Sequence, residues 1–297
     1  MKILVTGSSG FLGSHAVIHL RKAGHQITGI DITASPTTDI VCDVQEYFLT
    51  NSNSTDVLLH FAANVGGRLN IENNYLEIVA NIELDRMAFK WATKNVKHII
   101  YPSSSAVYPA NYQHTPGTRL SENMIDFAQN VIGVSDHLYG WCKLTAERML
   151  WQLHQTHDIQ IHIVRPFSGY GPGQNLSYPM ANLVRLIKTR PDRLEVWGSG
   201  NQTRDWVHVY DIMRTLEWCV NDTTPYQSIN IGTGVATTFN ELIDIIHTTV
   251  YGLPAAEVRK LAKQPTGVQY RVADTSLQRS LNVLPQITLS QGIQTLL

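Results

Sequence analysis

Along this chain, short and nearly continuous apolar runs alternate with longer segments in which apolar residues recur every three to four positions. KILVTG comes first, a helical pattern spans 12–23, and QITGID follows. Then come VLLHFAA, a helical pattern over 75–93, KHIIYPSSSAV, another helical pattern over 139–154, and IQIHIVRPF. Strand-length runs separated by helices predict βαβ units and a parallel sheet. Runs that are apolar throughout predict a sheet covered by helices on both faces, a doubly wound α/β fold. Gly24, just behind Arg21 and Lys22, gives the first helix a residue free to turn left-handed at its stop, with cations in its last turn.

After Pro166 the texture changes to SGYGPGQNLSYP, an irregular loop of the kind that carries function on a rigid scaffold. The main domain boundary is expected there. Residues 1–165 form the first domain, 206–235 return to it, and 166–297 are mainly a second, smaller α/β lobe. In that lobe LEVWG, WVHVY and SINIGTG look like strands, while 182–188 and 239–250 look helical.

Of the 297 residues 43% are apolar and 16% charged, with a net charge of −1, which excludes a disordered polyelectrolyte and a nucleic-acid partner. Uninterrupted apolar stretches such as 57–59 and 99–101 fall far short of the roughly 18 residues that span a membrane. MKILVTG lacks the apolar stretch and cleavage site of a signal peptide, so the expected location is the cytoplasm, without a membrane partner. Cys42, Cys142 and Cys219 are odd in number, widely spaced and outside any CxxC or Cys/His cluster. They predict neither a disulfide framework nor a metal site, and read as buried small hydrophobes.

Three features carry chemistry. TGSSGFLG sets Gly7, Gly10 and Gly13 between a strand and a helix, where glycines let the backbone approach a pyrophosphate at the positive helix end. Asp31 ends the second strand, about 20 residues on, where an acid bonds a ribose 2′-OH and repels a 2′-phosphate. No Lys or Arg stands between positions 23 and 67, so NAD is favoured over NADP. Asp43 is placed to take the adenine amino group. Tyr139 and Lys143, four apart on a helical pattern, share one face. Bringing a phenol from about pKa 10 to neutrality takes roughly 4 kcal/mol of differential stabilisation, which the lysine and a positive nicotinamide ring would supply. The pair then serves as general acid/base for a sugar hydroxyl. In YPSSSAVYP, at the end of a strand facing the cofactor crevice, Ser104 is the hydroxyl expected to bond the reacting oxygen.

TGxxGxxG, the HFAA strand end, SSSAVYP, YxxxK and RPFxxYGPG together resemble the extended short-chain dehydrogenases, specifically the nucleotide-sugar epimerases and dehydratases. The resemblance continues through GNQTRDWVHVYDI, NIGTG and RVAD, covering nearly the whole chain. It implies a Rossmann domain, Tyr139 as acid/base, Lys143 on the ribose and Ser104 as the catalytic hydroxyl. It places Phe11, Leu12, Val44, Ala62, Ala63 and Asn81 with the glycines and aspartates at the cofactor. Val65, Gly66, Ser105 and Ser168 fall to the substrate, Ser168 replacing a usual asparagine. Arg204 and Arg271 match the arginines that grip the substrate diphosphate, a role suited to guanidinium geometry. A homodimer through the helices containing 75–93 and 139–154 is also implied.

Within that family, dehydratases carry Asp-Glu after the catalytic hydroxyl and decarboxylases a Glu in the same stretch; here Ser105 and Ala106 follow Ser104. GDP-mannose 3,5-epimerases and GDP-fucose synthases share AANVGG-like wording but use a cysteine where this chain has Ala106. The expected activity is therefore 4-epimerisation of a nucleotide-diphosphate sugar through a transient 4-keto sugar, with NAD retained. A nucleotide 4-keto-sugar reductase, a GDP-mannose 3,5-epimerase-like enzyme and a catalytically silent NAD-binding regulator are the alternatives. The nucleotide and the sugar stay open.

Overall fold

The computed structural model describes residues 1–297 other than 192, 193, 256, 263 and 265. In chain order its elements are β1 (Lys2–Thr6), α1 (Phe11–Lys22), β2 (Gln26–Asp31), β3 (Ile40–Val41), α2 (Val44–Thr50), β4 (Val57–His60), α3 (Arg68–Asn73), α4 (Tyr75–Val79), α5 (Asn81–Asn95) and β5 (His98–Pro102). They continue as α6 (His137–Thr156), β6 (Gln160–Pro166), β7 (Ser168–Tyr170), α7 (Pro179–Thr189), β8 (Leu194–Trp197), β9 (Thr203–Arg204), β10 (Trp206–His208), α8 (Val209–Asn221) and β11 (Tyr226–Ile231). Last come β12 (Thr237–Thr238), α9 (Phe239–Tyr251), β13 (Val258–Leu261), β14 (Tyr270–Arg271), α10 (Ser276–Ser280) and α11 (Leu289–Gln294).

Among the described residues the main sheet has seven strands in the order β11-β6-β5-β4-β1-β2-β3, each pair parallel. The order reverses between β1 and β4, so a crevice opens there at the carboxyl ends of the strands. Every residue of β4 and β5 is buried, as a sheet with two covered faces requires. On one face α1 and α8 pack Ala16, Val17, Ile212 and Leu216 against Ile3 and Val5; on the other α2, α5 and α6 pack Phe48, Phe89 and Leu150 against Leu4 and Leu58.

Residues beyond β6 divide between the sheet and a smaller cluster. β11 pairs with β6 from Tyr226↔Ile161 to Ile231↔Pro166, and α8 covers the sheet. α7, α9 and α11 instead pack Leu183, Ile187, Leu242, Ile246 and Ile293 around β8 and β10. α9 begins at a capping box, Thr238 accepting from Glu241 N while the Glu241 carboxylate accepts from Thr238 N.

The pattern over 75–93 predicts one helix, yet the ladder changes register at Ala80, where Glu83 N bonds Ala80 O with three-residue spacing. The buried Asn81 side chain there bonds the backbone of Asn64, outside the helix. Toward the amino ends of β5 and β6, away from the crevice, His98 hydrogen-bonds His162 at 2.8 Å, and His162 bonds Asp222 at 3.0 Å. Burial lowers both imidazoles, His98 to about 3. No described helix is long and apolar enough to cross a membrane.

Candidate active site

A cleft of about 620 Å³ lies across the carboxyl ends of the main-sheet strands. Its floor is the glycine loop. Gly7 has φ +69°, and a Cβ there would sit 2.7 Å from Ala62 N, two residues past β4. A Cβ on Gly13 would sit 2.0 Å from Gly7 O, so only glycine lets α1 press against the loop. Gly10 caps α1 without a side-chain bond to its first-turn N–H groups. Those donors and the helix dipole fit a pyrophosphate, and Phe11 and Leu12 line the cleft beside them.

One end of the cleft is acidic. Asp31 accepts from Ser9 N at 2.9 Å through one carboxylate oxygen and from Thr33 N at 2.9 Å through the other, which ties it to the loop. Asp43 caps α2 by accepting from Gln45 N at 2.7 Å, and Val44 follows it along the wall. Cys42 departs from the expectation of burial: it follows the edge strand β3, is half-buried and lines the cleft. Cys142 and Cys219 are buried as expected.

The middle wall is made by Ala62, Ala63, Val65 and Gly66. Asn81 lies behind it. Its amide accepts from Asn64 N at 2.6 Å and donates to Asn64 O at 2.9 Å, so it fixes the wall rather than lining the cleft.

Ser104, Tyr139 and Lys143 meet at the other end. Ser104 starts a short 3₁₀ turn, accepting from Ala106 N at 3.1 Å, with its hydroxyl in hydrogen-bonding reach of the Tyr139 phenol. Burial and then the neighbouring Tyr178 push the Tyr139 phenol above its ordinary value, and the Ser104 bond opposes them. Lys143 Nζ donates to Tyr101 Oη at 3.1 Å and to Pro102 O at 2.9 Å, and sits 4.4 Å over the Tyr101 ring. Burial pulls its own pKa down, and Asp85 pushes it back.

Four candidate substrate residues lie off the cleft lining. Ser105 is buried inside the 3₁₀ turn, and Ser103 lines the cleft instead. Phe167, just before β7, and Gly169 on it line the cleft, and the intervening Ser168 does not. Arg204 and Arg271 are direct neighbours across β9 and β14. Arg204 donates to the carbonyls of Thr203, Val268 and Thr266, and Arg271 bonds Gln113 and Asp136 at 2.5 Å each.

Sequence reasoning missed Gln174 and Tyr178, which line the cleft from the Gly/Pro/Asn-rich loop that the composition had marked as functional. It also missed the support beneath the serines. Ser103 Oγ donates to Glu147 at 2.5 Å, and the fully buried Arg165 pairs with both Glu147 oxygens at 3.0 and 2.6 Å. Arg165 also donates to Tyr108 Oη at 3.1 Å, and Tyr108 donates to Asn230 on β11. Nothing in a helical pattern around a YxxxK spacing distinguishes such a glutamate from a solvated one.

This arrangement can bind a dinucleotide along the floor and handle a proton at the Tyr139 end. Comparison with known proteins agrees. A GDP-mannose 3,5-epimerase 1 of Oryza sativa subsp. indica is 27% identical over 99% of this chain and 80% of its own length. MoeE5, solved in complex with UDP-glucuronic acid and NAD, is 26% identical with a TM-score of 0.86, over 99% of this chain and 97% of that one. The UDP-glucuronic acid 4-epimerase of Bacillus cereus, solved with UDP-glucuronic acid and NAD, is 25% identical with a TM-score of 0.82 over the same shares. Residues 3–232 match the family model described as NAD dependent epimerase/dehydratase, and with a cleft built for a dinucleotide above a seven-stranded parallel sheet, the chain belongs to that family.

Proposed function

We propose that the protein is an NAD-dependent nucleotide-diphosphate-sugar 4-epimerase. One observation carries the reading: Ser104, Tyr139 and Lys143 line the cleft together beyond β5, while the carboxylates and thiol of its described lining, Asp31, Asp43 and Cys42, belong to β2 and the segment after β3, three or more strands away. Water loss, decarboxylation or inversion next to a ketone needs a further acid or base at carbon. Inversion at C4 needs, beside a hydride exchanged with NAD, only a proton moved on and off one oxygen.

In this reading Tyr139 Oη takes the C4 hydroxyl proton and returns it, while Ser104 donates to the same sugar oxygen. Tyr178, which raises the Tyr139 phenol, lines the same cleft. The nicotinamide of NAD supplies reversible hydride exchange when bound. Gly7, Gly10, Gly13, Asp31 and Asp43 would hold the dinucleotide, and Lys143, with two of its three donors committed to Tyr101 and Pro102, would offer the third to the ribose. The part of 166–297 outside the returning 206–235 would hold the nucleotide sugar, and Arg204 and Arg271 would exchange their present partners for its diphosphate. A second copy would pack on the face of α4 and α6 where Leu76, Leu138 and Trp141 are exposed.

Reaction in D₂O tests the assignment. Epimer formed without added NADH and without carbon-bound deuterium is the expected product. Deuterium at C3 or C5 would mean proton abstraction beside a ketone, and stoichiometric NADH consumption would mean a reductase; either result overturns 4-epimerisation.

A further inference from the structure

Beneath the cleft a line of buried polar side chains joins its floor to Lys143. Ala62 N donates to Thr6 Oγ1 at 3.2 Å, and Thr6 Oγ1 bonds His60 Nδ1 at 2.7 Å. If the Thr6 hydroxyl donates in that bond, the His60 proton lies on Nε2, 3.5 Å from Asp85 Oδ1, too long for a good hydrogen bond. Asp85 Oδ2 accepts from Tyr101 Oη at 2.9 Å, and Tyr101 Oη accepts from Lys143 Nζ at 3.1 Å. Asp85 is 2% exposed and Lys143 5%.

A buried ammonium needs a countercharge. Glu147, on the same helix as Lys143, is committed to Arg165 and Ser103. Asp85 on α5 is the remaining carboxylate that bears on the lysine. We propose that Asp85 is a positioning residue for Lys143: its carboxylate, bridged to the ammonium by the Tyr101 hydroxyl, fixes the lysine's place and charge under the cleft. Tyr101 suits the bridge because one hydroxyl donates its proton to the acid while offering a lone pair to the lysine. The inference rests on Lys143 serving the cofactor ribose, as in the proposed function.

The groups that bear on the lysine are Asp85 from α5, Tyr101 from β5, and Cys142 and Glu147 from α6, with His60 from β4 beside Asp85 and Tyr139 from α6 bearing on Tyr101. Of these, only Asp85 changes charge state in the decisive variant. NADH binding is followed by fluorescence across pH without sugar, in the wild type, Asp85→Asn, Tyr101→Phe and Lys143→Met. Asp85→Asn should lose affinity with rising pH at a midpoint at least about one unit below that of the wild type, the size expected for removing an opposite charge. Tyr101→Phe should shift the midpoint in the same direction and settles the matter should Asp85→Asn not fold. Wild-type midpoints in both, with binding altered in Lys143→Met, overturn the bridge alone. A wild-type profile in Lys143→Met overturns the role of the lysine, and the bridge with it.

Discussion

On the sheet side of the cleft, Asp31 already holds Ser9 N and Thr33 N, and Gly7 and Gly13 fit against backbone with no room for a methyl group. On the lobe side, Arg204 and Arg271 turn their guanidinium groups inward, to three carbonyls and to the Gln113–Asp136 pair. The cofactor side is organised before any ligand arrives; in the proposed function the two arginines, which lie off the cleft lining, would trade these internal bonds for substrate bonds. The difference teaches that the cofactor side tolerates little change of shape, while in the proposed function discrimination between sugars and nucleotides would fall to groups that can be re-aimed.

The sharpest way to break the comparison is at the meeting point of the two walls. Tyr139→Phe should cost roughly 10²–10⁴-fold in turnover, the range for loss of a general acid/base, with NADH affinity little changed in a fluorescence titration. On the lobe side, Arg204→Ala and Arg271→Ala should each raise KM by roughly 10–100-fold, from the roughly 1.5–3 kcal/mol of hydrogen bonds to a charged group, with kcat nearly unaltered. An unchanged KM in steady-state kinetics would leave both arginines as internal braces. On the sheet side, Asp31→Ala combined with Ile32→Arg should move the NAD(H)-to-NADP(H) affinity ratio by about tenfold toward NADP(H), the worth of roughly one charge-assisted hydrogen bond. Tighter NADP(H) binding in the unmutated protein would contradict the role given to Asp31.

The smallest effect lies away from both walls. His98 and His162 are held neutral, so below the unfolded value near 6.5 the unfolded chain binds more protons than the folded one. Their contribution is complete above that pH and is lost progressively as pH falls toward the folded value of about 3 for His98. Urea midpoints should decline across that window, and His98→Gln should flatten the decline. An equal slope in the variant would place the acid sensitivity elsewhere.

The parts of the molecule legible in the sequence are those whose causes are local. A strand, three glycines and a helix dictate the cofactor loop within a dozen residues, and Asp31 follows at the end of the next strand. Partners distant in sequence were not legible. Arg271 meets Asp136 across 135 positions, and Asp85 sits on a helix whose pattern gives no hint that Tyr101 will bury it. Ser105 and Ser104 look alike in a serine run, and only the tight turn separates the one inside the protein from the one on the cleft. Cys42 escaped burial because β3 is a two-residue edge strand.

The return of α8 and β11 to the main sheet also matters while the chain is being made. When residue 165 leaves the ribosome, Ile3, Val5 and Val17 still lack Ile212, Met213 and Leu216, and β6 lacks its neighbour. About 65 more residues must be added before β11 is complete, on the order of 3–13 s at roughly 5–20 residues per second. For that interval the nascent chain presents an apolar sheet face and an open strand edge, the surfaces that favour aggregation and that chaperones cover.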